Sequence, residues 1–200
     1  MKGLNISNIT PQQKMVAVNN RFGNTNIQSQ QGTTRTLYHT LPADGRTLYR
    51  FFENAQALGF PFTNLGAEGN RLGVGDTFTL QKVYFDILDI DPDTGAILAI
   101  YPVNLGSIGA QVLSLGEIDF LIANSQVVKQ LPSMFVLPEL NFTAVNDKDS
   151  SFNFATDIVI PPLLEYVLQL RLAAGYTAAN TFIRCTIQGS AGIIAPKTTF

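Results

Sequence analysis

An all-β fold, built as an antiparallel sandwich of two sheets, is predicted for this chain by three features of its sequence. Several segments alternate apolar and polar residues with the two-residue period of a half-buried β-strand. No long amphipathic helix and no regular alternation of strand with helix is visible, which argues against a parallel doubly wound sheet. No repeat of about 20–50 residues indicates a propeller or a solenoid. Roughly eight strands can be counted, which favours a single jelly roll, although a different β-sandwich or barrel would give nearly the same sequence pattern.

The first two predicted strands flank a turn. Residues 36–39 (TLYH) and 47–50 (TLYR) are rich in β-forming residues. Asp44-Gly45 between them is a strong turn signal, so the two segments are expected to pair as a β-hairpin. Residues 51–59 are expected to form one short helical turn that ends at Gly59, where glycine suits the residue after a helix.

The longest strand signal covers residues 76–90. Its alternation of apolar residues changes phase at Gln81-Lys82, which predicts a β-bulge or a bend between two sheets. Residues 91–95 (DPDTG) predict a turn, and residues 96–103 (AILAIYPV) are expected to return as the next strand.

Three further segments complete the predicted sandwich, with an additional extended piece at 133–142 that Pro138 interrupts. The segments are 116–130, 164–172 and 181–188, and the second of them (LEYVLQLRL) has the cleanest alternation in the chain. The residues expected to face the core are Ile118, Phe120, Ile122, Leu164, Tyr166, Leu168, Leu170, Leu172, Ile183, Cys185 and Ile187.

The chain is predicted to divide into an extended polar N-terminal arm at 1–35, a sandwich body at 36–188 and a C-terminal tail at 189–200. In the arm region, eleven of the eighteen residues 19–36 are Asn, Gln or Thr, and none is acidic. Such a segment cannot bury a core of its own, so its structure is expected to come from a neighbouring molecule.

Charge is distributed unevenly along the chain. Residues 1–43 carry four basic residues and no acidic one, whereas residues 44–200 carry nine basic and fifteen acidic residues, so +4 and −6 give the net charge of −2. A basic arm on an acidic body favours contact with a neighbouring protein. Nucleic acid is the second candidate partner, because four charges neutralise few phosphates.

The low charge content also suggests that much of the surface faces other protein. Charged residues make up 14% of the chain, against about 25% in an average protein. Interfaces are depleted in charge at their centres, so subunit contacts are expected. The residues expected at such contacts are Ile6, Ile9, Val16, Val18, Arg21, Phe22, Ile27, Arg35 and Phe200.

Catalytic chemistry finds little support in the sequence. His39 is the only histidine and Cys185 the only cysteine. A nucleophilic site of the usual kind would have to use His39, which lies inside a strand pattern. Neither catalytic residues nor a cofactor are therefore expected, and the chain is predicted not to be an enzyme.

A calcium site was weighed against a simple turn at residues 89–95. Asp89, Asp91 and Asp93 match the first ligand positions of an EF-hand loop. Gly95 falls one position late, however, and Ile100 stands where a bidentate glutamate is needed. A hairpin turn is the favoured interpretation, and a weakly bound Ca²⁺ ion on the three aspartates is the alternative.

Residues 51–88 (FFENAQALGFPFTNLGAEGNRLGVGDTFTLQKVYFDIL), with FLIANSQVVKQLP, FVLPELNF and the final IQGSAGIIAPKTTF, resemble structural virion proteins of phages that infect Bacteroidetes-type hosts. The resemblance covers roughly residues 47–200 and lies in the spacing of these segments. It implies a capsid or capsid-associated protein of jelly-roll type, with no catalytic residues. Such a protein would be assembled in the host bacterial cytoplasm and would reside in the virion.

The residues and the resemblance lead to the same expectation, a non-enzymatic virion protein that assembles through its arm and tail. Its partners would be copies of itself and other virion proteins, and no membrane is expected. The alternative is a receptor- or glycan-binding domain of a phage fibre or spike, in which tyrosines and Gly/Asn-rich loops would form the site.

Overall fold

The fold consists of two antiparallel β-sheets, which confirms the all-β prediction. The computed structural model describes residues 13, 30–55, 58–66, 69–91, 93–101, 115–133 and 152–194. Within these residues the strands are β1 (Gln30–Asp44), β2 (Leu48–Phe51), β3 (Thr77–Ile90), β4 (Ile97–Tyr101), β5 (Gly116–Ile122), β6 (Ser125–Pro132), β7 (Phe152–Ile160), β8 (Tyr166–Leu172) and β9 (Thr177–Ile194).

The strands divide into a five-stranded sheet and a four-stranded sheet. The first has the order β1-β9-β3-β4, and β7 also pairs with β3. β7 occupies the edge of β3 along residues 78–83 and β4 occupies it along residues 87–90, so the two strands follow one another on the same side. The second sheet has the order β2-β8-β5-β6.

The two sheets enclose one hydrophobic core, to which both contribute their apolar faces. Phe51 of the four-stranded sheet meets Phe85 of the five-stranded sheet with their ring centroids 5.5 Å apart. The predicted inward faces are confirmed, because all the expected core residues are buried except Leu164, which is partly buried against the core. The two-residue period therefore identified the buried faces of β5, β8 and β9.

The predicted irregularity at Gln81-Lys82 is a β-bulge. The register of β3 with both β9 and β7 shifts between Leu80 and Lys82. The bulge brings the β3 backbone so close to Gly189 that a Cβ atom there would overlap the Thr79 carbonyl oxygen. Glycine at this position of β9 is therefore required by the close approach of two backbones.

The hairpin predicted around Asp44-Gly45 is wrong, although the turn itself is present. β1 and β2 belong to different sheets, so the turn carries the chain from one layer to the other. Gly45 has a φ of 87°, and its N–H donates a hydrogen bond to the Tyr176 carbonyl at 3.0 Å. β2 pairs with β8 because the edge of β1 that a hairpin partner would use is already contacted by residues 62–64.

The helical turn predicted before Gly59 is present but shorter than expected, because Ala55 has 3₁₀ conformation and its carbonyl accepts a hydrogen bond from the Leu58 N–H at 3.0 Å. Residues 52–54, which precede it, are not helical. Phe52 and Asn54 have φ values of 73° and 53°, which a right-handed helix cannot contain. The Ala55 N–H donates to the Phe52 carbonyl in a tight turn instead. The chain reverses here because it leaves the edge of the four-stranded sheet and returns across the five-stranded sheet.

Two connections are hairpins. β3 and β4 pair across residues 91–95, as predicted. Residues 116–130 were treated as one segment, but they contain β5 and most of β6, joined at Ala123-Asn124. Ala123 has a φ of 51°, a value that usually calls for glycine or asparagine. Because neither glycine nor proline stands at this turn, the sequence did not indicate it.

The boundaries of the body differ from those predicted. β1 begins at Gln30 and β9 ends at Ile194, so residues 30–35 and 189–194 lie in strands of the sheet. Three predicted segments lie outside the described residues: the arm before Gln30 apart from Gln13, the tail residues 195–200, and the extended piece at 133–142 after Ser133.

Replacing Gly189 with alanine should destabilise the fold, because the added methyl group would force the β9 and β3 backbones apart. Overpacking of this kind costs about 1–3 kcal/mol. Gly32→Ala is the matched control, since Gly32 lies in the neighbouring strand with no atom within 4 Å of an added Cβ. Urea denaturation should give a lower free energy of unfolding for Gly189→Ala alone, and equal values for both variants would contradict the close approach.

Candidate functional site

Both ends of the described body meet at one corner of the five-stranded sheet. Gln30 at the start of β1 pairs with Ile194 at the end of β9, and the register continues without a break to Pro42 and Phe182. We call residues 30–35 and 189–194 the terminal corner. The described body therefore begins and ends on adjacent strands.

The outer edge of β1 is capped along residues 36–40 by the segment that follows the turn at 52–55. The Thr40 N–H donates to the Phe62 carbonyl at 2.8 Å. The Asn64 side chain makes the hydrogen bonds that a neighbouring strand would otherwise make. Its Oδ1 accepts from the Tyr38 N–H at 2.8 Å, and its Nδ2 donates to the Thr36 carbonyl at 2.7 Å. These bonds block a further strand from pairing here.

Along the terminal corner, the described residues leave the same edge unpaired. Gly32 and Thr34 continue the two-residue period of Thr36 and Tyr38, so their backbone groups point outward. Among the described residues, none outside β1 hydrogen-bonds to this part of the edge. An open strand edge is a template for pairing with another chain, which makes the terminal corner the candidate assembly surface.

Of the residues predicted to form subunit contacts, only Arg35 falls within the described part of the chain. Its Nη1 lies 3.6 Å from Oδ2 of Asp76, and both side chains are about one third exposed or less. The remaining candidates, Ile6, Ile9, Val16, Val18, Arg21, Phe22, Ile27 and Phe200, lie outside the described residues.

A small polar cleft opens beside Arg35, at the end of the sandwich between its two sheets. We call it the mouth cleft. Its volume is about 210 Å³, and its wall includes Arg35, Arg71, Asp76 and Tyr166. Arg71 is held by Glu165, which accepts hydrogen bonds from its Nε at 3.2 Å and from its Nη2. The rest of the described wall consists of Leu65, Leu72 and three glycines, Gly66, Gly69 and Gly73.

His39 and Cys185 are direct cross-strand partners on the inner face of the five-stranded sheet, which the sequence analysis did not foresee. The His39 Nδ1 accepts a hydrogen bond from the Phe52 N–H at 2.8 Å, so the ring fixes the turn after β2. Burial lowers the pKa of His39 to about 4 and raises the pKa of the Cys185 thiol. A thiol with a raised pKa inside a closed core is not an activated nucleophile.

The three aspartates of the calcium alternative lie around the β3–β4 turn. The Asp91 carboxylate accepts hydrogen bonds from the Thr94 hydroxyl at 2.8 Å and from the Asp93 N–H at 2.9 Å, and these bonds lower its pKa. The described residues, which include Asp89, Asp91 and Asp93, contain no group of three acidic, histidine or cysteine side chains that could hold a metal ion. The Asp91 carboxylate thus shapes the turn.

The outer face of the five-stranded sheet carries a polar patch centred on Arg184. The guanidinium group stacks 4.5 Å from the centre of the Tyr38 ring. It also donates hydrogen bonds to the Thr40 hydroxyl at 3.1 Å and to the Pro61 carbonyl at 3.0 Å. These contacts pin the 59–65 segment onto the sheet.

The neighbouring strand β3 adds Tyr84 and Asp86 to this outer polar patch. Asp86 is the cross-strand partner of Arg184, and Tyr84 lies one pair further along the same face. Burial raises the pKa of Asp86, and the positive charge of Arg184 partly offsets this shift. Of the other tyrosines, Tyr49 and Tyr166 are buried in the core, so they offer no ring to a ligand at the surface.

Removing the Asn64 side chain should weaken the cap on β1. Asn64→Ala deletes two hydrogen bonds, each worth about 0.5–1.5 kcal/mol, so the free energy of unfolding should fall by about 1–2 kcal/mol. Asn124→Ala, in the exposed turn between β5 and β6, is the control and should be close to wild type. Equal stabilities of the two variants in urea denaturation would show that the Asn64 bonds contribute nothing.

The stability of the protein should depend on pH through His39, the only histidine of the chain. Its pKa falls from the ordinary 6.5 to about 4 on folding. Below about pH 6.5 His39 is therefore protonated in the unfolded chain but stays neutral in the folded protein. The free energy of unfolding decreases as the pH falls.

The slope should approach about 1.4 kcal/mol per pH unit near pH 5.5. His39→Gln offers an amide oxygen to the Phe52 N–H but has no ionisable group, so it should lose this slope. The measurement is the free energy of unfolding of both proteins between about pH 7 and pH 5.5. Parallel curves would contradict a buried neutral His39.

Comparison with known proteins assigns no family to this chain. No family model, curated protein or solved structure matches it. In the part of the chain that the structure describes, no helix has the length and hydrophobicity needed to cross a membrane. A proposal for function must therefore rest on the geometry of the terminal corner and of the surfaces around it.

Proposed function

We propose that this protein is a non-enzymatic virion structural protein of a bacteriophage, which assembles with copies of itself and with other virion proteins. The observation that carries the proposal is the terminal corner. The described body begins and ends there on adjacent strands, next to a stretch of the β1 edge that no described residue pairs with. A neighbouring subunit can pair with such an edge while the arm and tail reach across its surface.

The strand order supports a jelly roll as the subunit fold. If β4 is set aside as an addition, eight strands remain, and one sheet has them in the order first, eighth, third and sixth. The other sheet has the order second, seventh, fourth and fifth, with antiparallel pairing throughout. A jelly roll, a fold that viral capsid proteins commonly use, has the same strand order, and this agreement supports the proposal.

Charge supports contact between the arm of one subunit and the body of another. Residues 1–29 carry three basic residues and no acidic one, while residues 30–200 carry ten basic and fifteen acidic residues, or +3 against −5. Ordering each arm residue costs about 1–2 kcal/mol of backbone entropy, so the arm needs many contacts on its partner. Apolar residues spaced along it, such as Ile9, Val18 and Phe22, can supply them.

Deletion of residues 2–29 tests the proposal, because this cut stops just before β1. The deleted protein should fold as the full chain does, with the same urea denaturation midpoint, but should no longer assemble. The readout is the mass by light scattering together with negative-stain images. A full-length variant with Lys2, Lys14 and Arg21 changed to Glu is the matched control for arm charge.

The charge-reversed variant should assemble less well than wild type but better than the deletion, since it keeps the apolar contacts. Nuclease treatment should leave wild-type assemblies intact if the arm contacts protein, and should dissolve them if it contacts packaged nucleic acid. Normal assembly by the deletion variant would refute a role for the arm.

A second candidate function, binding of a carbohydrate receptor by a fibre or spike domain, draws on the outer polar patch. Tyr84, Asp86 and Arg184 place an aromatic ring, a carboxylate and a guanidinium group on one face, a combination suited to sugar hydroxyls and ring faces. A glycan array should then give a signal that Tyr84→Ala and Asp86→Asn abolish. No signal from the wild-type protein would remove this candidate.

A further inference from the structure

The mouth cleft brings together side chains from both sheets beyond the last apolar layer of the core. Arg35 follows the two-residue period of Leu37 and His39, so its side chain projects from the inner face of the five-stranded sheet. Tyr166 projects from the inner face of the four-stranded sheet, where its ring packs against Phe52 and Phe120. The space between these two side chains is open at the end of the sandwich.

The Tyr166 hydroxyl is a buried polar group that lacks a partner. The residue is 1% exposed, and no hydrogen bond to its hydroxyl is formed by the described residues. Burial raises the pKa of Tyr166 far above its ordinary value, with the positive charge of Arg35 opposing the shift. The group is therefore a neutral O–H donor close to a guanidinium group, and leaving it unpaired costs stability.

Arg35 also has donors to spare. Its nearest charged partner is Asp76, at 3.6 Å between Nη1 and Oδ2, which is too long for a hydrogen bond. Within the described part of the chain its guanidinium group makes no hydrogen bond, and its side chain is 35% exposed at the cleft. A guanidinium group presents several N–H donors in one plane, which match the spacing of two oxygens on one ligand.

Arg71 adds a second positive charge to the same wall. Glu165 fixes its position through two of its nitrogens. Asp76 and Glu165 balance the two arginines, so attraction by net charge alone would be weak. Among the described residues the Tyr166 hydroxyl makes no hydrogen bond, and the Arg35 guanidinium forms an ion pair with Asp76 but no hydrogen bond. Both groups can still donate, so the ligand must supply acceptor oxygens.

We propose that the mouth cleft is a binding site for a small oxyanion, a phosphate or a carboxylate group, held between Arg35 and the Tyr166 hydroxyl. Its volume of about 210 Å³ accommodates such a group with a few water molecules or a small organic body. The site shares Arg35 with the terminal corner, but the rest of its described wall lies outside that corner and it uses no residue of 1–29.

Inorganic phosphate and acetate are the two probes, each added to the full-length protein at constant ionic strength. The melting temperature of the wild type should rise by roughly 5–10 °C when a probe exceeds its dissociation constant about a hundredfold. A rise with phosphate alone identifies a phosphoryl ligand, whereas a rise with acetate as well identifies a carboxylate. Calorimetric titration should give one site per chain.

Tyr166→Phe removes only the hydroxyl and keeps every ring contact, so it should fold and lose the response to the probe. Arg35→Gln should lose it as well. Tyr49→Phe is the matched control, because Tyr49 also carries a buried hydroxyl without a partner but lies outside the cleft. It should respond as the wild type does.

Two results would overturn the proposal. The first is a wild-type protein whose melting temperature neither probe raises. The second is an equal rise in the wild type, Tyr166→Phe and Arg35→Gln, which would mean that the anions act elsewhere on the protein.

Discussion

The pairing of β9 with β1 on one side and with β3 on the other is the constraint on which the rest of the structure depends. The last described strand lies between the first and third strands along most of its length. The five-stranded sheet is therefore incomplete until residues 177–194 have been synthesised. Long-range pairing of this kind slows folding, because the loop must close before the contacts form.

This central position of β9 has two further consequences. It places the start of β1 and the end of β9 side by side at one corner of the sheet, next to the outer edge of β1. It also brings Arg35, on β1, to the end of the sandwich opposite Tyr166 on the other sheet. The assembly surface and the oxyanion site proposed for this protein both follow from that single pairing.

Local features of the fold could be predicted from the sequence. The alternation in β5, β8 and β9 identified the buried faces, and the phase change at Gln81-Lys82 located the bulge, since both are properties of one strand. The choice of strand partner is not local. β2 has the composition of a hairpin strand, yet it pairs with β8, because Asn64 and its neighbours already occupy the edge of β1.

The candidate sites were harder to predict for the same reason. Arg35 was recognised as a contact residue from the charge of the arm, but its neighbours in the mouth cleft come from residues 65–76 and 166. The alternation of residues 164–172 correctly predicts that Tyr166 is buried. It does not predict whether the Tyr166 hydroxyl has a hydrogen-bond partner. The His39–Cys185 pair likewise depends on the register between β1 and β9, which no local pattern encodes.

The most direct test of assembly through the arm and the β1 edge is the mass of the purified full-length protein in solution. It is measured by light scattering over a wide range of concentration, together with negative-stain images. A subunit whose arm and open strand edge engage its neighbours should form a discrete assembly, a closed shell or a ring of defined mass. A protein that remains a monomer of 21.8 kDa at every concentration would contradict the account.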